Sequence, residues 1–213
     1  MPLVQNAKLK LYHAARTRAA MALWMLEELD EPFSIELLTL QKGDQRKPEY
    51  LAINPMGKVP TLVDGDTIVS EVSAICCYLA DAYPKAGLAP AVHDPLRGPY
   101  LKWLFYSPSC IEPVMIDKAL SRTAAPRTTS GWADYDTVIS VVRDAVAKAS
   151  PYLLGERFTA ADIVIGSALR WGIQFKLLPD LPEFVAYVDL LNQRPALQRQ
   201  LAYDASIEQQ ITA

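Results

Sequence analysis

Asn54-Pro55-Met56-Gly57-Lys58-Val59-Pro60 runs directly into Thr61-Leu62-Val63, then Asp64-Gly65, then Thr67-Ile68-Val69. Two β-branched runs around an Asp-Gly pair predict a β-hairpin turning at Asp64-Gly65. A proline at the mouth of the first strand cannot donate to the sheet there. A Val-Pro bond can also be cis, which fixes a sharp turn. In that geometry the N–H and C=O of Val59 face outward, free to pair with an extended, peptide-like ligand.

Outward from the hairpin, the chain divides by periodicity. Lys8 to His13 alternates lysine with leucine and reads as a strand. From about Thr17 to Leu29, Ala20, Leu23, Trp24 and Leu26 recur at helical spacing, and Glu31-Pro32 ends the helix. Phe33 to Leu38 reads as a second strand, and Thr39 to Ile53 as a polar loop with a short helix. A helix from about Glu71 to Tyr83 follows the hairpin. The order βαβ–ββα, with its first crossover parallel and right-handed, is that of a thioredoxin-like α/β domain.

Residues 84–93, with Pro84, Gly87, Pro90 and His93, read as a linker. From 94 to 213 no strand alternation occurs, and helices are expected near 94–122, 131–150, 160–175, 181–193 and 195–203. The expected domains are therefore 1–83, thioredoxin-like, and 94–213, all-helical. Thr159-Ala160-Ala161-Asp162 is spaced as a capping box at a helix start.

A hydrophobic content of 51% in 213 residues is ample for a core. Residues 1–83 carry net −3 and the rest net 0, with no basic stripe, so nucleic acid is not an expected partner. No apolar run approaches the ~18 residues of a membrane span, and Met1 to Ala7 does not resemble a signal peptide. Three cysteines, Cys76 and Cys77 adjacent in an apolar pattern and Cys110 alone, make no disulfide framework. A reduced, cytoplasmic setting is expected.

Three stretches lie in order across nearly the whole chain. They are Leu9-Lys10-Leu11-Tyr12-His13 with Leu23 to Leu29, Asn54 to Leu62 with Ser70-Glu71-Val72-Ser73, and Gly155-Glu156-Arg157-Phe158-Thr159-Ala160-Ala161-Asp162-Ile163. Together they resemble the glutathione S-transferase family, in its bacterial cytosolic branch. The resemblance implies a thioredoxin-like glutathione-binding domain and a helical domain lining a hydrophobic substrate site. It also implies a homodimer, glutathione as co-substrate, no metal, and a role in detoxification.

The chemistry such an enzyme needs is modest. A thiol of pKa ~8.5 is mostly protonated at neutral pH, and lowering it by about two units takes ~2.7 kcal/mol. A hydrogen bond to a charged group contributes ~1.5–3 kcal/mol and a helix N-terminus ~0.3–1. One aimed hydroxyl at a helix start suffices. By resemblance it comes from Tyr12 to Thr17, where Tyr12 and Thr17 compete, and Thr17 is favoured as an N-cap hydroxyl beside the dipole. Arg18, like Arg16, can add positive charge. The loop has no cysteine, unlike some bacterial relatives.

For glutathione itself, Glu71 is expected to bind the γ-glutamyl ammonium and the N–H groups of Val72 and Ser73 its carboxylate. Val59, with Pro60 fixing the turn, should pair with its main chain. Lys58 and Gln41 are candidates for the glycyl end. Ala14, Trp103, Phe105, Tyr106, Cys110, Glu112 and Trp171 are candidates for the pocket of an apolar electrophile. Conjugation, peroxide reduction and ligand binding without turnover remain the alternatives.

Overall fold

A computed structural model of the chain describes residues 3–212 except 124 and 127, and the side chains of those residues up to 208. The chain forms two compact units, Met1–Ala86 with Arg194–Ala213, and Gly87–Gln193.

The first unit is built on a four-stranded sheet of order β2-β1-β3-β4. β1 (Leu9–His13) pairs in parallel with β2 (Phe33–Leu37), from Leu9↔Phe33 to His13↔Leu37. β1 is antiparallel to β3 (Thr61–Asp64), with Tyr12 opposite Thr61, and β3 is antiparallel to β4 (Thr67–Ser70), with Thr61 opposite Ser70. Along β1, Leu9, Leu11 and His13 are buried while Lys10 and Tyr12 project from the other face, as a period of two requires.

Helix α1 (Ala19–Leu29) is apolar nearly all round, and every residue but Glu28 is buried. Such a helix must be covered on several sides. Here it packs against β1, against α3 (Val72–Ala82) and against α9 (Pro195–Thr212). Full burial of Leu23, Met25 and Leu26 contributes ~1.5–3 kcal/mol each. Asp30 ends α1 in the left-handed region at φ 59°. Helix α2 (Pro48–Leu51) is a single turn that opens on Pro48 and buries Tyr50.

In the second unit, α4 (Arg97–Tyr106), a π-turn (Ser107–Ile111) and α5 (Glu112–Ala119) run in series. They are followed by α6 (Tyr135–Ala147), α7 (Ala160–Gln174) and α8 (Pro182–Asn192). Helix α7 is buried continuously from Ala160 to Leu169 and packs on α4 and α8. Its capping box forms, and the Asp162 carboxylate accepts from the N–H groups of Thr159 (2.7 Å) and Leu153 (2.9 Å) and from the Tyr187 hydroxyl (2.5 Å).

Three expectations are corrected. The hairpin turns at Gly65 and Asp66, one residue later than expected, because Asp64 is still paired with Thr67 and Gly65 takes the positive φ of 59°. The helix expected over 94–122 is interrupted: Pro108 lacks an N–H and crowds the preceding turn, and the backbone widens into a π-turn there. The last helix continues to Thr212, and compactness groups it with the first unit.

Candidate functional site

Strand register brings separate segments to one end of the sheet. β1 and β2 are parallel and end at His13 and Leu37. β3 is antiparallel to both and begins at Thr61, while β4, antiparallel to β3, ends at Ser70. The loop Ala14–Arg18, the turn carrying Gln41, the Lys58-Val59-Pro60 segment and the start of α3 at Glu71 all leave from this end.

Side chains that composition alone did not single out hold the Lys58–Pro60 segment. Asn54 Nδ2 donates to the Lys58 carbonyl (2.9 Å) and to Thr61 Oγ1 (3.0 Å). The Tyr50 hydroxyl donates to the same carbonyl and meets Thr61 Oγ1 at 2.9 Å. Val59–Pro60 is cis, Val59 is half-exposed, and no described residue hydrogen-bonds its main chain. Lys58 and Gln41 are exposed. The Gln41 turn is braced by Asp44, which accepts from the Thr39 N–H at 2.8 Å and pairs with Lys47 at 2.7 Å.

Glu71 is exposed and stands before α3 at φ 68°, ψ 123°. A β-carbon is strained there, at a cost of ~1–3 kcal/mol that concentrates at ligand-holding positions. Behind it the N–H groups of half-buried Val72 and buried Ser73 open an 11-residue helix, whose dipole end favours an anion.

In the Ala14–Arg18 loop, the Thr17 hydroxyl donates to the Ala14 carbonyl at 2.6 Å and accepts from the Ala19 N–H at 3.2 Å. Ala14 is buried, Thr17 half-buried and Arg18 exposed. The residue before the first helical position is Arg18, so Thr17 acts on the helix start from one residue further out than an N-cap. Arg16, at φ 56°, turns its guanidinium to Glu208 in a bidentate pair of 2.6 and 2.6 Å. That leaves its charge matched by a carboxylate.

Tyr12 occupies different surroundings. Its ring lies 5.2 Å from that of Tyr50, and it lines a cavity of about 480 Å³ with Glu36, Leu37, Leu38, Asp44, Lys47, Glu49, Tyr50 and Ile53. Among these only Tyr12 is a candidate site residue. Burial, then the nearby Glu36 and Tyr50, push its phenol above the ordinary value.

The second unit holds the remaining candidates. Phe105 is exposed, and Tyr106, Cys110, Glu112 and Trp171 are half-buried, while Trp103 is buried with its ring 5.2 Å from Tyr106. Trp171 meets Phe175 edge-on at 6.1 Å. Burial pushes the Cys110 thiol up, and Cys76, chiefly by burial, up to about 12. Both are poor nucleophiles in that state. Among the described residues no cluster of His, Cys, Asp and Glu could hold a metal, and no helix is long and apolar enough to cross a membrane.

Comparison with known proteins bears on the family and the fold. Residues 17–82 match the family described as Glutathione S-transferase, N-terminal domain. The chain is 30% identical over 178 residues to glutathione S-transferase GstA of Escherichia coli O157:H7, a span of 79% of this chain and 84% of that one. A glutathione transferase of Methylococcus capsulatus superposes with a TM-score of 0.76 at 26% identity, over 92% of this chain and 98% of its own. A sphingomonad glutathione S-transferase complexed with glutathione gives 0.74 at 26% identity, with the same coverage.

Proposed function

The chain belongs to the glutathione S-transferase family, and from that premise we propose that it ionises the thiol of bound glutathione and directs the thiolate at a small apolar electrophile. The observation that carries this reading is the meeting, at one sheet end, of a loop hydroxyl, the unpaired main chain of Val59 and an anion-favouring helix start behind Glu71, whose backbone is strained.

In this reading Val59 pairs through its main chain with the cysteinyl residue of glutathione. Glu71 accepts from the γ-glutamyl ammonium, and the N–H groups of Val72 and Ser73 receive the adjoining carboxylate. Lys58 and Gln41 face the glycyl carboxylate. The thiol is placed against the Ala14–Arg18 loop. There the Thr17 hydroxyl exchanges the Ala14 carbonyl for the thiolate as its acceptor, the better partner because it is charged. The Ala19 N–H already donated to that hydroxyl oxygen polarises it and strengthens the new bond. The thiolate attacks the electrophilic carbon and the leaving group departs with its electron pair. Phe105, Tyr106, Cys110, Glu112 and Trp171 are the proposed contacts of that second substrate. Tyr12 is the alternative donor and Arg18 an added positive charge. The protein is proposed to work as a homodimer in the cytoplasm, which sedimentation at assay concentration checks.

A second reading, glutathione binding without turnover, is favoured by one observation: the Thr17 proton is already committed to Ala14. Calorimetric titration with reduced glutathione at several pH values separates the two. Binding with proton release below pH ~8 supports the transferase, since a free thiol of pKa ~8.5 releases little there. Binding without release supports the carrier, and no binding overturns both.

A further inference from the structure

We propose that the last helix, α9, belongs to the activation site: Asp204 and Glu208 are positioning residues that set the Ala14–Arg18 loop and, through it, the ionisation of the glutathione thiol. The inference rests on the transferase reading.

Helix α9 and the residue before it meet the β1–α1 segment through a series of polar pairs. Arg194 grips Glu28 at 2.6 and 2.7 Å, and Arg199 reaches Glu27 Oε2 at 2.5 Å and the Glu27 carbonyl at 2.9 Å. Asp204 Oδ1 lies 2.7 Å from Nε2 of fully buried His13. Glu208 takes Arg16. In this order α9 runs opposite to α1, so the earlier pairs clamp the end of α1 and the later ones reach the loop before it.

The two later pairs bracket Ala14. His13 fixes the chain entering Ala14, and Arg16 fixes it two residues on. The Ala14 carbonyl between them accepts from Thr17, so it sets where that hydroxyl points. Asp204 is itself oriented, since Gln200 Nε2 donates to its other oxygen at 2.9 Å and the Tyr203 ring lies 6.0 Å from that of His13. The Arg16 side chain is 77% exposed and that of Glu208 30%. A pair in that setting adds little to stability. Its bidentate geometry is directional, however, and a left-handed arginine held by it keeps the loop in one shape.

The test uses the full-length protein, reduced glutathione and an aryl halide electrophile. The variants are Glu208→Gln, Asp204→Asn and the swapped pair Arg16→Glu with Glu208→Arg. In the two single variants kcat at neutral pH should fall about tenfold and the acid limb of the pH–rate profile should move up by about one unit, the two being the same loss of thiolate. The KM for glutathione should stay within about twofold, because the contacts proposed for its main chain and its carboxylates lie outside this loop. The swapped pair should recover most of the loss. Wild-type kcat and pH profile in folded Glu208→Gln overturn the inference and leave the transferase reading standing. If the wild type binds glutathione without ionising it, the transferase reading fails instead. Amide hydrogen exchange at Ala14–Arg18 then decides the positioning claim: faster exchange in Glu208→Gln supports it, and unchanged exchange overturns it.

Discussion

Glu71 shows how one residue can be poor for the fold and useful to the site. Its φ of 68° strains any side chain with a β-carbon. Glu71→Gly should relieve that strain, with the entropy cost of glycine, ~0.5–1 kcal/mol, set against it. The melting temperature should hold or rise while glutathione affinity falls. Glu71→Ala should lose the same affinity with no gain in stability, and the pair of variants, compared by calorimetry and thermal melting, isolates the strain. At Thr17 the expected outcome is a fall in kcat of tenfold or more for Thr17→Ala, with Thr17→Ser retaining most activity, because a hydroxyl hydrogen bond to a charged group is worth ~1.5–3 kcal/mol. Unchanged turnover in Thr17→Ala moves the role to Tyr12. At this scale the sequence pointed to the local backbone: Val59–Pro60 is cis and Glu71 stands just before α3, within a dense local pattern. It did not expose the left-handed backbone at Glu71, because nothing in a glutamate announces φ > 0. Nor did it expose the partners Tyr50 and Thr61, which meet across a turn and not along a periodic face.

Elements that carry their own local chemistry were the most legible. The capping box at Thr159–Asp162 formed as its spacing predicts, but its reach is wider: Asp162 also holds Leu153 and Tyr187. Asp162→Ala strands several buried donors at ~1–3 kcal/mol each, so a loss of about 3 kcal/mol or more is expected in chemical denaturation. The hairpin gives a pH signature. Burial raises the Asp64 carboxyl, but hydrogen bonds from Lys8, Tyr83 and Tyr78 outweigh it and hold it below the ordinary range. A carboxyl depressed in the folded state contributes stability that is complete above its unfolded value of ~3.9 and is lost as pH falls through the folded value. Asp64→Asn should therefore flatten the fall in stability below pH ~4, read from denaturation midpoints along a pH series. The long helix of the second unit was misread because apolar spacing continues through Pro108 and Pro113. A π-turn keeps the chain helical where a proline would otherwise end it.

At the scale of the whole molecule, helical periodicity located α9 but not its place, since the contacts that assign it to the first unit join residues more than 160 positions apart. α1 is buried on all sides, and α9 is one of its covers. A chain ending at Gln193 should accordingly fail to yield a soluble, glutathione-binding protein. Residues 1–86 fused through a flexible linker to 194–213 should recover cooperative unfolding, followed by circular dichroism. The same discontinuity bears on how the protein is made. Once residue 86 has left the ribosome, a further 127 residues must be polymerised before the first unit is whole. At ~5–20 residues per second that is roughly 6–25 s, during which the apolar flank of α1 is offered to chaperones. A ribosome stalled before α9, or a stop codon ahead of it, thus leaves the earliest-made unit of the protein without one of its covering helices.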